Sequence, residues 1–216
     1  MVTSQRTIGY LGPHGTFTEQ AVLSEPDLAD CDAQLFSSMP AVLNAVETGE
    51  LDLGFAAIEN SIEGTVNATI DTLAFSSNLL IQREVVIPIS MELLVAPGAT
   101  LDSIETVVSF PHAIAQCRVW LAEHLPNARH TAANSTADAV ELVAKAQDPT
   151  VAAIGNSLAG SIYGLVELSN SIEDTEDNQT RFVTVARHGV PKITGHDKTS
   201  IVIFQRDDRP GSLLSI

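Results

Sequence analysis

The sequence predicts an α/β fold with mostly parallel sheets flanked by helices. Short apolar runs alternate with runs of helical periodicity, beginning with TIGYLG before TFTEQAVLS and QLFSS before PAVLNAVETG. Strands that alternate with helices imply crossover connections, which join parallel strands. The composition, 44% hydrophobic and 18% charged, is that of a globular chain, and 216 residues suffice for one or two domains.

The alternation continues through LGFAAIE and TVNATIDTLA and is then interrupted. The runs IQREVVIPIS and MELLVAPG follow one another without a helix, which predicts a passage to a second lobe near residues 76–96. Alternation resumes with ETVVSF before PHAIAQCRVWLAEHL, ARHTAA before STADAVELVAKA, and TVAAIG before NSLAGSIYG. Ile114, Cys117, Leu121 and Leu125 recur at spacings of three and four, which predicts a helix with a core-facing stripe.

The end of the chain predicts three further pieces. A polar loop, EDTEDNQ, precedes a strand, TRFVTVARHG. A second strand, TSIVIF, leads through QRDDRPG to the helix start SLLSI. One strand and one helical turn cannot bury their apolar faces, so this last piece is expected to be the incomplete beginning of another domain.

Composition and motifs exclude several classes of function. With 27 acidic and 11 basic residues the formal charge is −16, which argues against nucleic-acid binding. No apolar run resembles a signal peptide or a membrane span, so a cytoplasmic protein without membrane contact is expected. Cys31, Cys117 and the six His residues lack metal-ligand spacing, and neither GxGxxG nor GxxxxGK[ST] occurs. Neither a metal nor a nucleotide cofactor is predicted.

Five strand ends run into small polar residues and then a helix: GPHGTFTEQ, ENSIEGTVN, SFPHAIAQ, NSTADA and GNSLAG. Each is either an ordinary helix cap or a site where backbone N–H groups bind an anion. In an open α/β sheet such junctions lie at the carboxyl ends of strands, where ligands bind. Glu59, at the end of one strand, is either a base or a charge at a helix start. GNSLAG is one residue too long for a serine nucleophile elbow.

Five segments resemble the prephenate dehydratase family in order and spacing. They are GPHGTFTEQA (12–21), IENSIEGTVNATIDTL (58–73), SFPHAIAQC (109–117), NSTADAV (134–140) and DNQTRF (177–182). The terminal KTSIVIFQRDDRPGSLLSI resembles the start of the ACT regulatory domain that follows in that family.

The resemblance implies a catalytic region, residues 1–190, with two lobes in a fold like type II periplasmic binding proteins and an active site between them. Lobe one would comprise residues 1–77 and 176–190, and lobe two residues 78–175. Residues 198–216 would begin an ACT domain, a ferredoxin-like α+β fold, which is expected to be incomplete.

The resemblance also implies an activity. The family consists of carbon–oxygen lyases that convert prephenate to phenylpyruvate, carbon dioxide and water in L-phenylalanine biosynthesis, without a cofactor because ring aromatisation drives the reaction. The alternative is a carboxylate-binding module of the same fold without catalysis. A homodimer or homotetramer is expected, with L-phenylalanine as allosteric effector of the complete protein. The start of the chain leaves no room for a fused chorismate mutase, so the monofunctional form is expected.

Site residues follow from the motifs that match. Thr180 corresponds to the family's essential threonine and is expected to donate a hydrogen bond or relay a proton to the leaving hydroxyl. The other catalytic candidates are Glu59, Asn60, Ser109 and Gln116. The substrate-binding candidates are Thr16, Phe17, Ser61, His112, Ser135, Thr136, Arg181 and Phe182, and a partial effector motif comprises Gly211, Ser212 and Leu213.

Three of these candidates carry alternatives. Arg181 faces either the substrate or the opposite side of its strand, because successive strand residues point oppositely. Phe182 is either a core residue or part of the wall of the site. His112 stands where many relatives have Gln after Pro111, and its titration near neutral pH would add a pH dependence to that contact.

Overall fold

A computed structural model describes residues 5–189 and 192–203, and it forms two α/β halves, each built on one sheet. The predicted α/β class with two sheets is confirmed. The first half carries the first sheet and helices α1–α4, and the second half carries the second sheet and helices α5–α8.

The first sheet has the strand order β2-β1-β3-β11-β5, with the short β4 paired to β3. Its strands are β1 (Thr7–Leu11), β2 (Asp32–Phe36), β3 (Leu53–Asn60), β4 (Gly64–Thr65), β5 (Leu80–Pro88) and β11 (Gln179–Ala186). The second sheet has the order β10-β6-β9-β7-β8. Its strands are β6 (Glu92–Val95), β7 (Thr106–Ser109), β8 (Arg129–Ala132), β9 (Val151–Gly155) and β10 (Val166–Ser169).

The helices are short, and most begin at the caps or prolines that the sequence offers. They are α1 (Phe17–Leu23), α2 (Pro26–Ala29), α3 (Met39–Thr48), α4 (Asn67–Asp71), α5 (Pro111–Gln116), α6 (Arg118–His124), α7 (Thr136–Ala146) and α8 (Ser157–Tyr163). A π-helical turn (Thr72–Ser76) continues α4, and a 3-10 turn (Leu101–Ser103) precedes β7. The predicted long helix after β7 is divided at Cys117 into α5 and α6.

Both sheets are mixed, whereas the alternation predicted mostly parallel sheets. The strands joined by helical crossovers, β1 with β2 and β3, and β7 with β8 and β9, pair in parallel as predicted. The remaining strands pair antiparallel. The chain crosses from one half to the other between β5 and β6, and it crosses back between β10 and β11. The alternation of helices and strands does not predict how these four strands pair.

The chain passes between the sheets later than the resemblance implies. The expected lobe boundary at residue 77 precedes β5, yet β5 hydrogen-bonds with β11 over its whole length in the first sheet. The chain leaves the first sheet after Pro88 and enters the second at Glu92. It returns at Gln179, where β11 begins between β3 and β5.

The largest apolar cluster contains buried side chains from both sheets. Ile8 and Phe55 of the first sheet belong to it together with Leu93 and Ile154 of the second. A smaller cluster lies where α7 and α8 pack on the second sheet. The two halves therefore share one apolar core.

Residues 192–203 form no helix or strand. The predicted strand TSIVIF is therefore absent over residues 199–203, and Ile201 is 72% exposed. A strand needs a partner to pair its backbone groups, and none of the described strands pairs with this segment. Lys198 makes an ion pair with Glu84 on β5. The effector candidates Gly211, Ser212 and Leu213 lie outside the described residues.

Candidate active site

The carboxyl-terminal edges of the two sheets face each other. The loop after β1 meets α8, which follows β9: the Tyr163 hydroxyl donates to the His14 carbonyl at 3.1 Å. Gly15 in the same loop has φ +84°, and a Cβ placed there would lie 2.9 Å from Ala159. Glycine is needed at this position both for its backbone conformation and for the close approach of α8. Ligands of α/β sheets bind at such edges.

A second contact between the halves is made of polar side chains. Asn178, just before β11, donates from Nδ2 to Gln116 Oε1 on α5 at 3.3 Å. Gln116 Nε2 donates to Glu63 Oε1 at 3.4 Å. His112 Nδ1 lies 3.5 Å from the same Glu63 oxygen; the His112 side chain is 63% exposed and that of Glu63 is 46% exposed. Gln116 and His112, both predicted as site residues, thus lie at the junction between the halves.

Thr180 and Asn60 lie opposite each other on β11 and β3. Asn60 Nδ2 donates to Thr180 Oγ1 at 2.9 Å, and Thr180 is only 9% exposed. A hydroxyl has one hydrogen to donate, and no acceptor for that of Thr180 is found within residues 5–189 and 192–203. The Thr180 hydroxyl is therefore oriented by an amide and keeps its own hydrogen for a ligand.

The side chain of Asn60 has no capacity left for a ligand. Its Nδ2 donates to Asn178 Oδ1 and to Thr180 Oγ1, both at 2.9 Å. Its Oδ1 accepts the backbone N–H groups of Ile62 and Glu63 at 2.9 and 3.0 Å. The two backbone donors also fix which end of the amide points to Thr180. Asn60, predicted as catalytic, is thus a positioning residue in this arrangement.

Ser61 and Asn178 tie β3 to the start of β11. Ser61 Oγ accepts the Gln179 N–H at 2.9 Å, and its hydroxyl lies 3.3 Å from the Asp177 carbonyl. Asn178 links Asn60 in the first half to Gln116 in the second. Sequence reasoning missed Asn178, although it stands two residues before Thr180, where the two-residue period of a strand places both on one face.

Glu59 and Arg181 lie on the opposite face of these strands. The Arg181 guanidinium pairs with both Glu59 and Glu84. Glu84 and Glu59 raise the pKa of Arg181, while Lys198 and Arg181 lower the pKa of Glu84. Because adjacent strand residues point oppositely, this ion-pair cluster faces away from Thr180. Of the two interpretations of Arg181, the structure agrees with the one in which its side chain faces the opposite side of the strand. Glu59 lies on that side too and is not positioned as a catalytic group.

Two further candidates are buried away from any ligand. Phe182 is 1% exposed and stacks on Phe55 with ring centroids 5.2 Å apart, so it is a core residue. Ser109 is fully buried, and its Oγ donates to the Ile154 carbonyl on the neighbouring strand at 2.8 Å. The family motif selected both residues, but tertiary packing uses their side chains internally.

Four candidates lie at helix starts. Thr16 Oγ1 accepts the Glu19 N–H at 3.2 Å, as Ser135 Oγ accepts the Asp138 N–H at 3.0 Å. Phe17 and Thr136, the first residues of α1 and α7, are half-buried. Capping is the role that the structure shows for Thr16 and Ser135, and none of the four enters the network around Thr180.

A cavity of about 640 Å³ opens beside the polar contact. It is lined by Gln116, His112 and Glu63, and also by Arg118, which sequence reasoning missed. Arg118 is exposed and has no ion-pair partner in the described part of the chain. It occupies the first position of α6, where the helix dipole disfavours a cation, while Asp174 accepts N–H groups of this helix end. Arg118 therefore lines the cavity as an unpaired cation, alongside the carboxylates of Glu63 and Asp174.

The described ranges contain neither a cluster of metal ligands nor a helix that could span a membrane. No three His, Cys, Asp or Glu side chains there converge so as to hold a metal ion. Among the same residues no helix has both the length and the apolar character to cross a membrane.

A family model and curated relatives identify the family. A family model described as prephenate dehydratase matches residues 8–190. The prephenate dehydratase of Mycolicibacterium vanbaalenii is 40% identical over 222 residues, covering 96% of this chain and 70% of that protein. The enzyme of that name from Mycobacterium leprae is 41% identical over 217 residues, covering 96% of this chain and 66% of that protein.

A solved structure adds the three-dimensional match. The crystal structure of prephenate dehydratase in complex with L-Phe from Arthrobacter aurescens has a TM-score of 0.87 and 40% identity. The match covers 96% of this chain and 69% of that one. This chain thus spans about two thirds of the length of these relatives.

Proposed function

The chain belongs to the prephenate dehydratase family, and we propose that it converts prephenate to phenylpyruvate, carbon dioxide and water as a carbon–oxygen lyase. Residues 1–190 would form the catalytic region. The observation that carries the proposal is the Thr180 hydroxyl, which Asn60 holds at the facing sheet edges with its hydrogen unused.

The reaction breaks two bonds and makes an aromatic ring. The electron pair of the bond to the ring carboxylate moves into the ring as carbon dioxide leaves, and the ring hydroxyl departs with its own electron pair. Hydroxide is a poor leaving group, so a proton delivered to that oxygen lowers the barrier. The protein must therefore orient a dicarboxylate and supply a hydrogen-bond donor at the hydroxyl.

Thr180 is suited to the donor role. Asn60 Nδ2 donates to Thr180 Oγ1, which directs the threonine hydrogen away from Asn60 and polarises the hydroxyl. An alcohol is too weak an acid to surrender its proton outright at neutral pH, so the proton that completes the water product comes from solvent through the hydroxyl. Thr180 relays it, and no cofactor is required.

The carboxylates of the substrate need donors as well. Arg118 is the free cation in the cavity wall, and one Nε2 hydrogen of Gln116 remains after its bond to Glu63. We expect Arg118→Ala to raise KM about tenfold, because a charge-assisted hydrogen bond is lost, and to leave kcat within about threefold. Arg129→Ala, which changes an exposed arginine on β8, is the matched control.

The direct test is turnover of prephenate by the purified chain, followed as formation of phenylpyruvate. A rate well above the spontaneous reaction supports the proposal. Saturable binding of prephenate without turnover would instead favour a carboxylate-binding module of the same fold. An absence of both binding and turnover contradicts the proposed function.

Regulation and assembly are part of the same proposal. The Arthrobacter relative was solved with L-Phe bound, and we infer that the complete protein binds L-phenylalanine as an effector. We further propose a cytoplasmic homodimer or homotetramer. A shift in the prephenate saturation curve on adding L-phenylalanine to the complete protein, and its mass in solution, test these two statements.

A further inference from the structure

Asn156 holds a buried amide nitrogen without a partner. It is the N-cap of α8, where its Oδ1 accepts the Ala159 N–H at 2.8 Å. The residue is only 2% exposed, yet its Nδ2 finds no acceptor among residues 5–189 and 192–203. Nearly all buried polar groups in proteins are hydrogen-bonded, so an amide donor of this kind calls for an explanation.

The position of Asn156 on α8 indicates what it faces. Asn156, Ala159 and Tyr163 are separated by three and seven residues, which places them on one side of the helix. Ala159 and Tyr163 contact the loop at His14 and Gly15 in the first half. The same side of α8 carries Asn156 towards the facing edge of the first sheet.

Asn156 and Thr180 belong to the facing edges of the two sheets. Asn156 follows β9, whose helix α8 meets the loop after β1, whereas Thr180 lies on β11. In the first sheet β1 and β11 are separated by β3 alone, which corresponds to about 10 Å. A small ring compound spans such a distance, with its hydroxyl near Thr180 and one of its two acid groups towards Asn156.

We propose that Asn156 Nδ2 donates a hydrogen bond to a carboxylate of the substrate. A carboxylate accepts hydrogen bonds only, and Asn156 offers the matching donor from a side chain whose oxygen is already engaged. The chain has a net charge of −16, so neutral donors at buried positions are a means of holding an anion locally. This inference rests on the proposed function and adds a substrate-binding residue that the family motifs did not select.

The test exchanges the donor while preserving the helix cap. Asn156→Asp retains an oxygen that accepts the Ala159 N–H but replaces the amide donor with a carboxylate. We expect KM for prephenate to rise at least tenfold, with kcat changed less. Asn156→Ser keeps a capping oxygen but has neither the amide donor nor a carboxylate, and it should raise KM about threefold to tenfold. Ser38→Asp, which alters the cap of α3 on the first sheet, should leave both constants unchanged.

The outcomes separate this inference from the proposed function. If the wild-type chain turns over prephenate while both folded Asn156 variants keep its KM, the inference is overturned and the function stands. If Asn156→Asp does not fold, the KM of Asn156→Ser decides. If prephenate binds without turnover, calorimetry on wild type and Asn156→Ser replaces KM: weaker binding to the variant supports the inference and equal binding overturns it. An absence of prephenate binding to wild type overturns both.

Discussion

The two faces of the strand pair β3 and β11 differ in what they leave available. On the face that includes Asn60 and Thr180, the hydroxyl hydrogen of Thr180 is unused. On the other face Glu59, Arg181 and Glu84 pair with one another. Three consecutive residues of one motif, TRF, therefore have three different surroundings: Thr180 keeps an unused hydroxyl hydrogen, Arg181 pairs with carboxylates on the neighbouring strands, and Phe182 packs in the core.

The difference shows how a contiguous motif divides when it lies in a strand. Adjacent side chains point to opposite faces, so neighbours in sequence are separated in space by the sheet itself. Residues at a spacing of two, such as Asn178 and Thr180, share a face instead. Substitutions along the motif can test whether stability and activity separate in the same way.

The largest effect on stability is expected at Phe182, which lies two residues beyond Thr180 on the same face of β11 but is 1% exposed in the core. Phe182→Ala removes a buried ring that stacks on Phe55 and should lower the free energy of unfolding by about 3–5 kcal/mol. Urea denaturation measures this loss, and Phe182→Leu should show a smaller one. A stable Phe182→Ala variant with lost turnover would contradict the assignment of Phe182 to the core.

At the facing edges of the sheets, Thr180→Val keeps the β-branched shape and removes the hydroxyl. We expect kcat/KM for prephenate to fall at least about a hundredfold, equivalent to about 3 kcal/mol of transition-state stabilisation. Stability should fall by about 1–3 kcal/mol, because Asn60 Nδ2 loses its acceptor on Thr180. Steady-state kinetics and thermal melts measure the two quantities. Thr180→Ser retains the hydroxyl and should recover much of the activity; an equally inactive serine variant would argue against a donor role.

The ion-pair face should affect stability modestly and activity little. Arg181 is 38% exposed and Glu59 is 45% exposed, so Arg181→Gln should cost about 0.2–1 kcal/mol. Its kcat/KM for prephenate should stay within about threefold of wild type. A hundredfold loss of activity in a folded Arg181→Gln variant would place Arg181 at the substrate after all.

The same face predicts a pH dependence of stability. Lys198 and Arg181 lower the pKa of Glu84 in the folded state below its unfolded value. A depressed carboxyl pKa contributes stability above the unfolded pKa, and this contribution is lost as the pH falls through the folded pKa. Melting temperatures from neutral to acid pH should fall more for wild type than for Glu84→Gln. Parallel curves would show that the ion pairs contribute nothing measurable.

Much of the candidate site could be predicted from motifs, and the misses have particular causes. Thr180, Gln116 and His112, which the motifs selected, lie at the facing edges. Glu59 and Arg181 face away because β11 runs beside β3 in a register that pairs them. Arg118 was missed because one exposed arginine in a sequence does not show that a cavity lies beside it.

The sequence by itself determined the helices, the crossover strands and the motif that carries Thr180, because periodicity and capping are local properties. Only the tertiary structure decided which side chains remain free. Ser109 donates a hydrogen bond to the carbonyl of Ile154, 45 residues away. The side chain of Asn60 makes all its hydrogen bonds within the protein. Asn156 keeps a buried donor unpaired. Such differences arise where distant strands and helices meet, since a hydrogen bond depends on distance and angle that no local pattern encodes.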